Sequence, residues 1–184
     1  MPQLSTPERE YLILFHKTVE KGRQTSSMNT YRTNTMSLYS SDGERLYLNE
    51  SERQRFIEVA TKQTILVKLF CLTLVYTGCR LTEAVKLTKQ DIQVAEGIVS
   101  IRSLKKRDKH HVREVPVPKD FSQSLATLLD PISDNEKLWH IASITGWRWV
   151  KKVMQDAHIT GAKATPKGLR HSFGTHAVLN SIFL

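Results

Sequence analysis

The amino-acid sequence predicts an α+β domain, mostly helical, with a small three-stranded antiparallel sheet in its middle. Three observations carry that prediction. Apolar residues recur at helical spacing on both sides of a central stretch, within that stretch they alternate with polar residues, and turn signals cut the alternating stretch into short lengths. Helices, then a small meander, then helices is the pattern of an α+β fold.

Tyr11 to Lys21 has helical apolar spacing through Leu12, Leu14, Phe15 and Val19. Residues 22–44 are rich in Ser, Thr and Asn and poor in aliphatic side chains, which reads as a linker. Residues 1–45 are therefore expected to be an N-terminal helix and linker remnant, ahead of one folded domain from residue 46 to 184. Asn49 or Ser51 is placed to cap the first helix of that domain, and Ser51 with Gln54 matches a capping box. Phe56, Ile57 and Ala60 would form its inner face. Thr64 to Thr77 is apolar on most sides, as a central core helix must be. Gly78 is placed to end it in a left-handed conformation. Thr82 is placed to cap a short helix over Glu83 to Leu87. IQVAEG, IVSIRSL and HVREVPVP then alternate as three strands, with turns at Glu96-Gly97 and in KKRDKHH. Helical spacing returns at Asp120 to Leu129, at Ser143 to Ala157, and from Pro166 onward. Thr165-Pro166 is a helix start, a capping residue followed by proline at the first helical position.

Composition narrows the function. The 184 residues allow one ordinary domain, and 40% hydrophobic residues suffice for a core. The longest apolar stretch, Ile65 to Tyr76, is interrupted by Lys68 and stays well short of the roughly 18–20 residues of a membrane span. The polar N-terminus lacks the pattern of a secretory signal, so a cytoplasmic protein is expected. Cys71 and Cys79 form neither a CxxC pair nor a second pair, so they are expected to be reduced core thiols, with no metal and no cofactor. The formal charge is +9, which points to a polyanionic partner. Part of it is local: Arg102 to Arg113 holds six Lys/Arg and two His against one Asp.

Three segments carry chemistry: TGCRLTEAVKL at 77–87, SIRSLKKRDKHHVREVPVP at 100–118, and TPKGLRHSFGTHAV at 165–178. In this order and spacing they resemble the tyrosine recombinase (phage integrase) family, from about Tyr47 to the last residue. That family shows TG-x-R-x-x-E, then a β-hairpin lysine, an R-x-V-P strand, and H-x-L-R-H-[ST]-[FW]-x-T-H. The resemblance implies a tyrosine-recombinase-like catalytic domain that breaks and rejoins DNA strands in recombination or integration. Such chemistry needs fixed cations, because the attacked phosphate is already negative and its leaving oxygen needs a proton. Arginine suits the first task, since its planar fork grips two phosphate oxygens and keeps its charge.

By the resemblance, Arg80 and Arg170 bind the phosphate. Arg170 also falls near the N-terminus of a helix, where free N–H groups favour an anion. Lys105 is the expected hairpin general acid, with its neighbour Lys106 left open as the alternative. Lys167 stands where the family usually has histidine; it can donate to a phosphate oxygen but is a poor base near neutral pH. Glu83 and His171 would support these groups from behind, while Lys106, Arg107, Lys109 and Arg113 would touch the DNA backbone. His176 completes the motif as a packed or hydrogen-bonded residue.

The family's nucleophilic tyrosine lies downstream of the second arginine. Tyr11, Tyr31, Tyr39, Tyr47 and Tyr76 all precede Arg80, so no nucleophile is expected within this chain, and the domain is expected to be incomplete at its C-terminal end. Residues 1–45 are too few for the helical bundle that precedes the catalytic domain in full recombinases. The expected partners are double-stranded DNA and other recombinase subunits on DNA, with no membrane. A non-catalytic DNA-binding module that occupies recombination sites is the alternative. A basic interaction or RNA-binding protein would explain the charge but not three ordered motifs.

Overall fold

The structure, a computed structural model, describes residues 37–103 and 111–182. The helix expected at Tyr11 to Lys21 lies outside the described residues. So do the first part of the expected linker and the basic turn at residues 104–110.

The first helix, α1, spans Glu50–Thr61. Its capping box is made by Asn49 and Glu52, not by Ser51 and Gln54. The Glu52 N–H donates to Asn49 Oδ1 at 2.9 Å, and the Asn49 N–H donates to Glu52 Oε2 at 2.9 Å. A carboxylate wins this position because Arg45 and Lys163 also pair with it, at 2.9 and 3.3 Å. A neutral Gln54 has no use for those charges.

Helix α2, Ile65–Thr77, runs through the core with Leu69 to Val75 buried. It ends as expected at Gly78, which has φ 56° and donates its N–H to the Leu74 carbonyl. Helix α3 is a single turn, Leu81–Ala84. It starts earlier than expected, because the Glu83 carboxylate reaches back to the Arg80 N–H at 2.8 Å. Arg80 therefore holds the cap position that Thr82 was expected to take.

A 3₁₀ turn at Lys89–Asp91, closed by Asp91 on Thr88, leads into the sheet. Strands β1 (Ile92–Gln93), β2 (Ile98–Arg102) and β3 (Val112–Pro116) form an antiparallel sheet in the order β1-β2-β3. Strand β1 is shorter than its alternation suggests, because the chain turns at once: Gly97, at φ 65°, donates its N–H to Val94. Past Arg102, the Ser103 N–H still donates to the His111 carbonyl at 2.9 Å. Residues 104–110 therefore connect two strand ends that are held together.

Helices α4 (Lys119–Leu129), α5 (Ser143–Asp156) and α6 (Pro166–Ile182) complete the fold. Helix α6 begins at Pro166 as expected, with the Gly168 N–H donating to Thr165 Oγ1. Gly168 is a steric requirement, since a Cβ there would overlap the Lys163 carbonyl.

The core is centred on α2, which packs on α1, α3, α4, α5 and α6. Phe70 of α2 meets Trp139 and Trp149 edge-on, with centroids 5.5 and 5.7 Å apart. Gly146 of α5 lets Phe70 and Leu81 approach closely. Trp139 is almost completely buried, and its indole N–H donates to the Ala84 carbonyl at 2.9 Å. That bond fixes the end of α3, one residue past Glu83. Cys71 and Cys79 are both free and buried. Burial pushes their thiols up to about 12 and about 11. Among the described residues, no helix is long and apolar enough to cross a membrane.

Replacing Trp139 by Phe keeps most of the aromatic packing but removes the indole donor from the Ala84 carbonyl, which is left with the Leu87 N–H at 3.1 Å alone. Urea unfolding is expected to show a loss of about 0.5–1.5 kcal/mol, the net worth of one hydrogen bond.

Candidate functional site

Three arginines from distant parts of the chain converge on one carboxylate. Glu83 lies on α3 and its side chain is only 2% exposed. Arg80 Nη1 donates to its Oε1 at 2.6 Å, and the Arg80 N–H donates to its Oε2 at 2.8 Å. Arg170 of α6 brings Nη1 to 3.7 Å from Oε2. Arg113 of β3 brings Nη2 to 3.6 Å from the same oxygen.

The fold explains each placement. Arg80 leaves the turn that follows Gly78 and precedes α3. Arg170 lies one turn inside α6 and donates Nη1 to the Gly78 carbonyl at 2.8 Å. Phe173, one turn further on, packs where a Cβ on Gly78 would be. Gly78 is thus required twice, for its positive φ and for this close approach. It joins the end of α2 to the face of α6 and holds the two arginines on one site.

Arg113 was expected among the backbone contacts of the basic segment. The structure turns its Nη2 toward Glu83, while the side chain as a whole stays 31% exposed. Its register partner on β2 is Ile101, which is fully buried. Arg113 and Val115 therefore share the sheet face that meets the core. The signal was present in HVREVPVP, whose alternation places 113, 115 and 117 together, but the run of charges around Arg113 obscured it.

The electrostatics follow the geometry. Burial pushes the Glu83 pKa up, but the backbone and guanidinium hydrogen bonds from Arg80 and the Arg113 charge outweigh it, so the carboxyl titrates below its ordinary value. Burial, then the Arg113 and Arg80 charges, pull the Arg170 pKa down from its usual range. Three guanidiniums against one carboxylate leave the cluster with an excess of positive charge.

Lys167 is exposed on the first turn of α6, three residues before Arg170. His171 is buried; desolvation, then the Lys167 and Arg170 charges, lower its pKa and favour neutral imidazole. His176 pairs with Glu50 of α1 at 2.8 Å, tying α6 to the start of α1. Lys105, Lys106, Arg107 and Lys109 lie outside the described residues. Tyr47 stacks edge-on with Tyr39, and the Tyr76 ring packs on Phe121. Among the described residues, no group of three or more His, Cys, Asp or Glu is placed to hold a metal.

A pocket of about 210 Å³ adjoins the cluster, lined by Glu83, Lys86, Leu87, Thr88, Asp91 and Arg102. A wider groove of about 700 Å³ runs along α5 past Trp147, Arg148 and Lys151, and none of the cluster residues lines it. The chemistry of the cluster fits a small anion: fixed, permanently charged donors on one carboxylate, with more positive charge than that carboxylate cancels.

Residues 46–182 match the model of the phage integrase family. Tyrosine recombinase XerA of Pyrococcus furiosus is 30% identical over 139 residues, which are 70% of this chain and 46% of the relative. XerA of Thermococcus kodakarensis is 29% identical over 119 residues, 59% of this chain and 40% of the relative. The chain thus spans less than half the length of these relatives. A crystal structure of XerA recombinase superposes with a TM-score of 0.61 at 31% identity, covering 73% of this chain and 51% of that one. The catalytic domain of bacteriophage HP1 integrase shares the fold, with a TM-score of 0.52 at 20% identity over 74% of each chain.

Because the Glu83 pKa is lower in the folded chain, its contribution to stability is complete above the ordinary carboxylate range. It is lost as pH falls through that range toward the depressed value. Urea unfolding from neutral to acidic pH should show wild-type stability falling more steeply than that of Glu83→Gln. Parallel pH profiles for the two proteins would contradict this assignment.

Proposed function

The chain belongs to the phage integrase family, and from that premise we propose that it forms the phosphate-gripping part of a site that breaks and rejoins DNA strands. The observation that carries the reading is the convergence of Arg80 and Arg170 on Glu83 and Gly78. Each arginine commits one nitrogen inward and keeps further donors of its fork for an anion. A phosphodiester placed between them would be held by two bidentate cations, which also stabilise the charge that grows on its oxygens during attack.

The other roles follow from position. Lys167, one turn before Arg170, donates to the same phosphate. The hairpin lysine, assigned to Lys105, protonates the departing oxygen; the strands that bear its loop end beside Arg113. Glu83 fixes the arginines, and His171, neutral and buried behind Lys167 and Arg170, supports them. Lys106, Arg107 and Lys109 extend the contact along the DNA backbone. None of the five tyrosines, all of which precede Arg80, is assigned the attacking role in this reading. XerA is by name a tyrosine recombinase, and its 30% identity to this chain supports reading the arginine cluster as part of a strand-exchange site. Assembly with other recombinase subunits on DNA belongs to the same proposal.

Binding to a labelled duplex, followed by fluorescence anisotropy across a salt series, tests the site. Affinity is expected to fall steeply with salt, by a log–log slope of about −0.9 for each phosphate neutralised. Arg80→Ala with Arg170→Ala should weaken binding by about a hundredfold or more, as loss of charge-assisted bonds of roughly 1.5–3 kcal/mol each implies. Unchanged binding would remove the clamp. A nicked suicide duplex should yield no covalent adduct on a denaturing gel; an adduct would show that one of the five tyrosines attacks.

A further inference from the structure

One donor in the cluster is left without a hydrogen bond among the described residues. Arg113 Nη2 is buried there, yet it stands 3.6 Å from Glu83 Oε2. That is too long for a hydrogen bond, but at this distance and burial the Coulomb attraction is substantial. Arg170 Nη1 approaches the same oxygen from another element, at 3.7 Å. We propose that Arg113 is a positioning residue: its inward guanidinium shares the charge of Glu83 Oε2 and so leaves Arg170 available to the anion.

The competition can be read from the distances. Arg80 already takes Oε1 through its guanidinium and Oε2 through its backbone N–H. What remains of the Oε2 charge faces Arg113 and Arg170, at nearly equal separations. Arg170 has an anchor of its own, the Gly78 carbonyl at 2.8 Å, and can stay there while Arg113 balances the carboxylate. Without Arg113, Arg170 is, among the described residues, the only side-chain cation left to face Oε2 besides Arg80, and its fork is drawn down toward α3. Cys79 lies in the same surroundings but does not compete, because burial keeps its thiol protonated.

Arg113 also links two parts of the molecule. It stands on β3 two residues after His111, where the ladder receives the end of the 104–110 connection. The consequence for DNA rests on the function proposed above. The coupling between Arg113 and Glu83 does not.

The test uses the whole chain with Arg113→Gln, Arg113→Lys, Glu83→Gln, and Glu83→Gln combined with Arg113→Gln. Carbon-13 NMR of the Glu83 carboxyl, without DNA, should show its titration midpoint rising in Arg113→Gln and rising less in Arg113→Lys. Binding to a short labelled duplex should weaken about tenfold in Arg113→Gln, a coupling in the range seen for contacting residues, and recover in Arg113→Lys. In the Glu83→Gln background, Arg113→Gln should cost nothing further. An equal loss in both backgrounds, or a Glu83 midpoint that does not move, would overturn the proposal. If Arg113→Gln does not fold, the midpoint in Arg113→Lys decides. If the wild-type chain binds no duplex, the function fails, and the carboxyl titration alone decides the coupling.

Discussion

The site depends on one buried carboxylate. Glu83 is where three guanidiniums meet, and without a negative charge they would not stay together. Two like charges 4 Å apart repel by about 4 kcal/mol at an effective dielectric of 20. Burying the carboxylate also has a cost, several kcal/mol for an unpaired ion. The two penalties cancel only in combination. The anion is desolvated where a backbone N–H and an arginine fork meet it at 2.8 and 2.6 Å. The cations are gathered where the anion stands.

The supports of this cluster lie in the hydrophobic core. Helix α3 is a single turn and has no stability of its own, since isolated helices need about 12–15 residues even when propensity is favourable. It is held because the Trp139 indole takes its last carbonyl and because Leu81 packs on α5 at Gly146. Gly78 then sets the distance between α2 and α6, with Phe173 against its α-carbon and Arg170 on its carbonyl. Small residues at two tight contacts, Gly78 and Gly146, let large aromatic rings position charged groups. Preorganisation of this kind is what a site needs if its donors are to meet an anion without first rearranging.

Much of this was legible in the sequence, and the reason is local. Helix α2 and its Gly78 end, the three strands, and the Thr165-Pro166 start of α6 depend on periodicity and on residues with one strong conformational preference. The approach of Arg80 to Arg170 came from motif order. What escaped depends on tertiary contacts. The capping box moved to Asn49 and Glu52 because Arg45 and Lys163 reward a carboxylate there. Helix α3 began early because a buried glutamate captured the Arg80 N–H. The inward turn of Arg113 was written in the alternation of β3, but a charged side chain on a core face is rare enough that composition argued for the surface.

Arg113 also shows why the charges of such a site are unequal in kind. Arg80 and Arg170 each bind inward through one nitrogen and carry no nitrogen that is both buried and unpartnered. Among the described residues only Arg53 Nε and Arg113 Nη2 are arginine nitrogens in that condition. A donor left so is costly unless something nearby needs its charge, and here Glu83 Oε2 does. The cluster thus divides its labour by partner. Two guanidiniums are each held by one hydrogen-bonded nitrogen, and the third turns a buried nitrogen toward their common carboxylate without bonding it. An anion entering from outside meets donors whose counterion is already shared, and it need not compete with Glu83 for each of them. One carboxylate can therefore assemble the arginines without neutralising them.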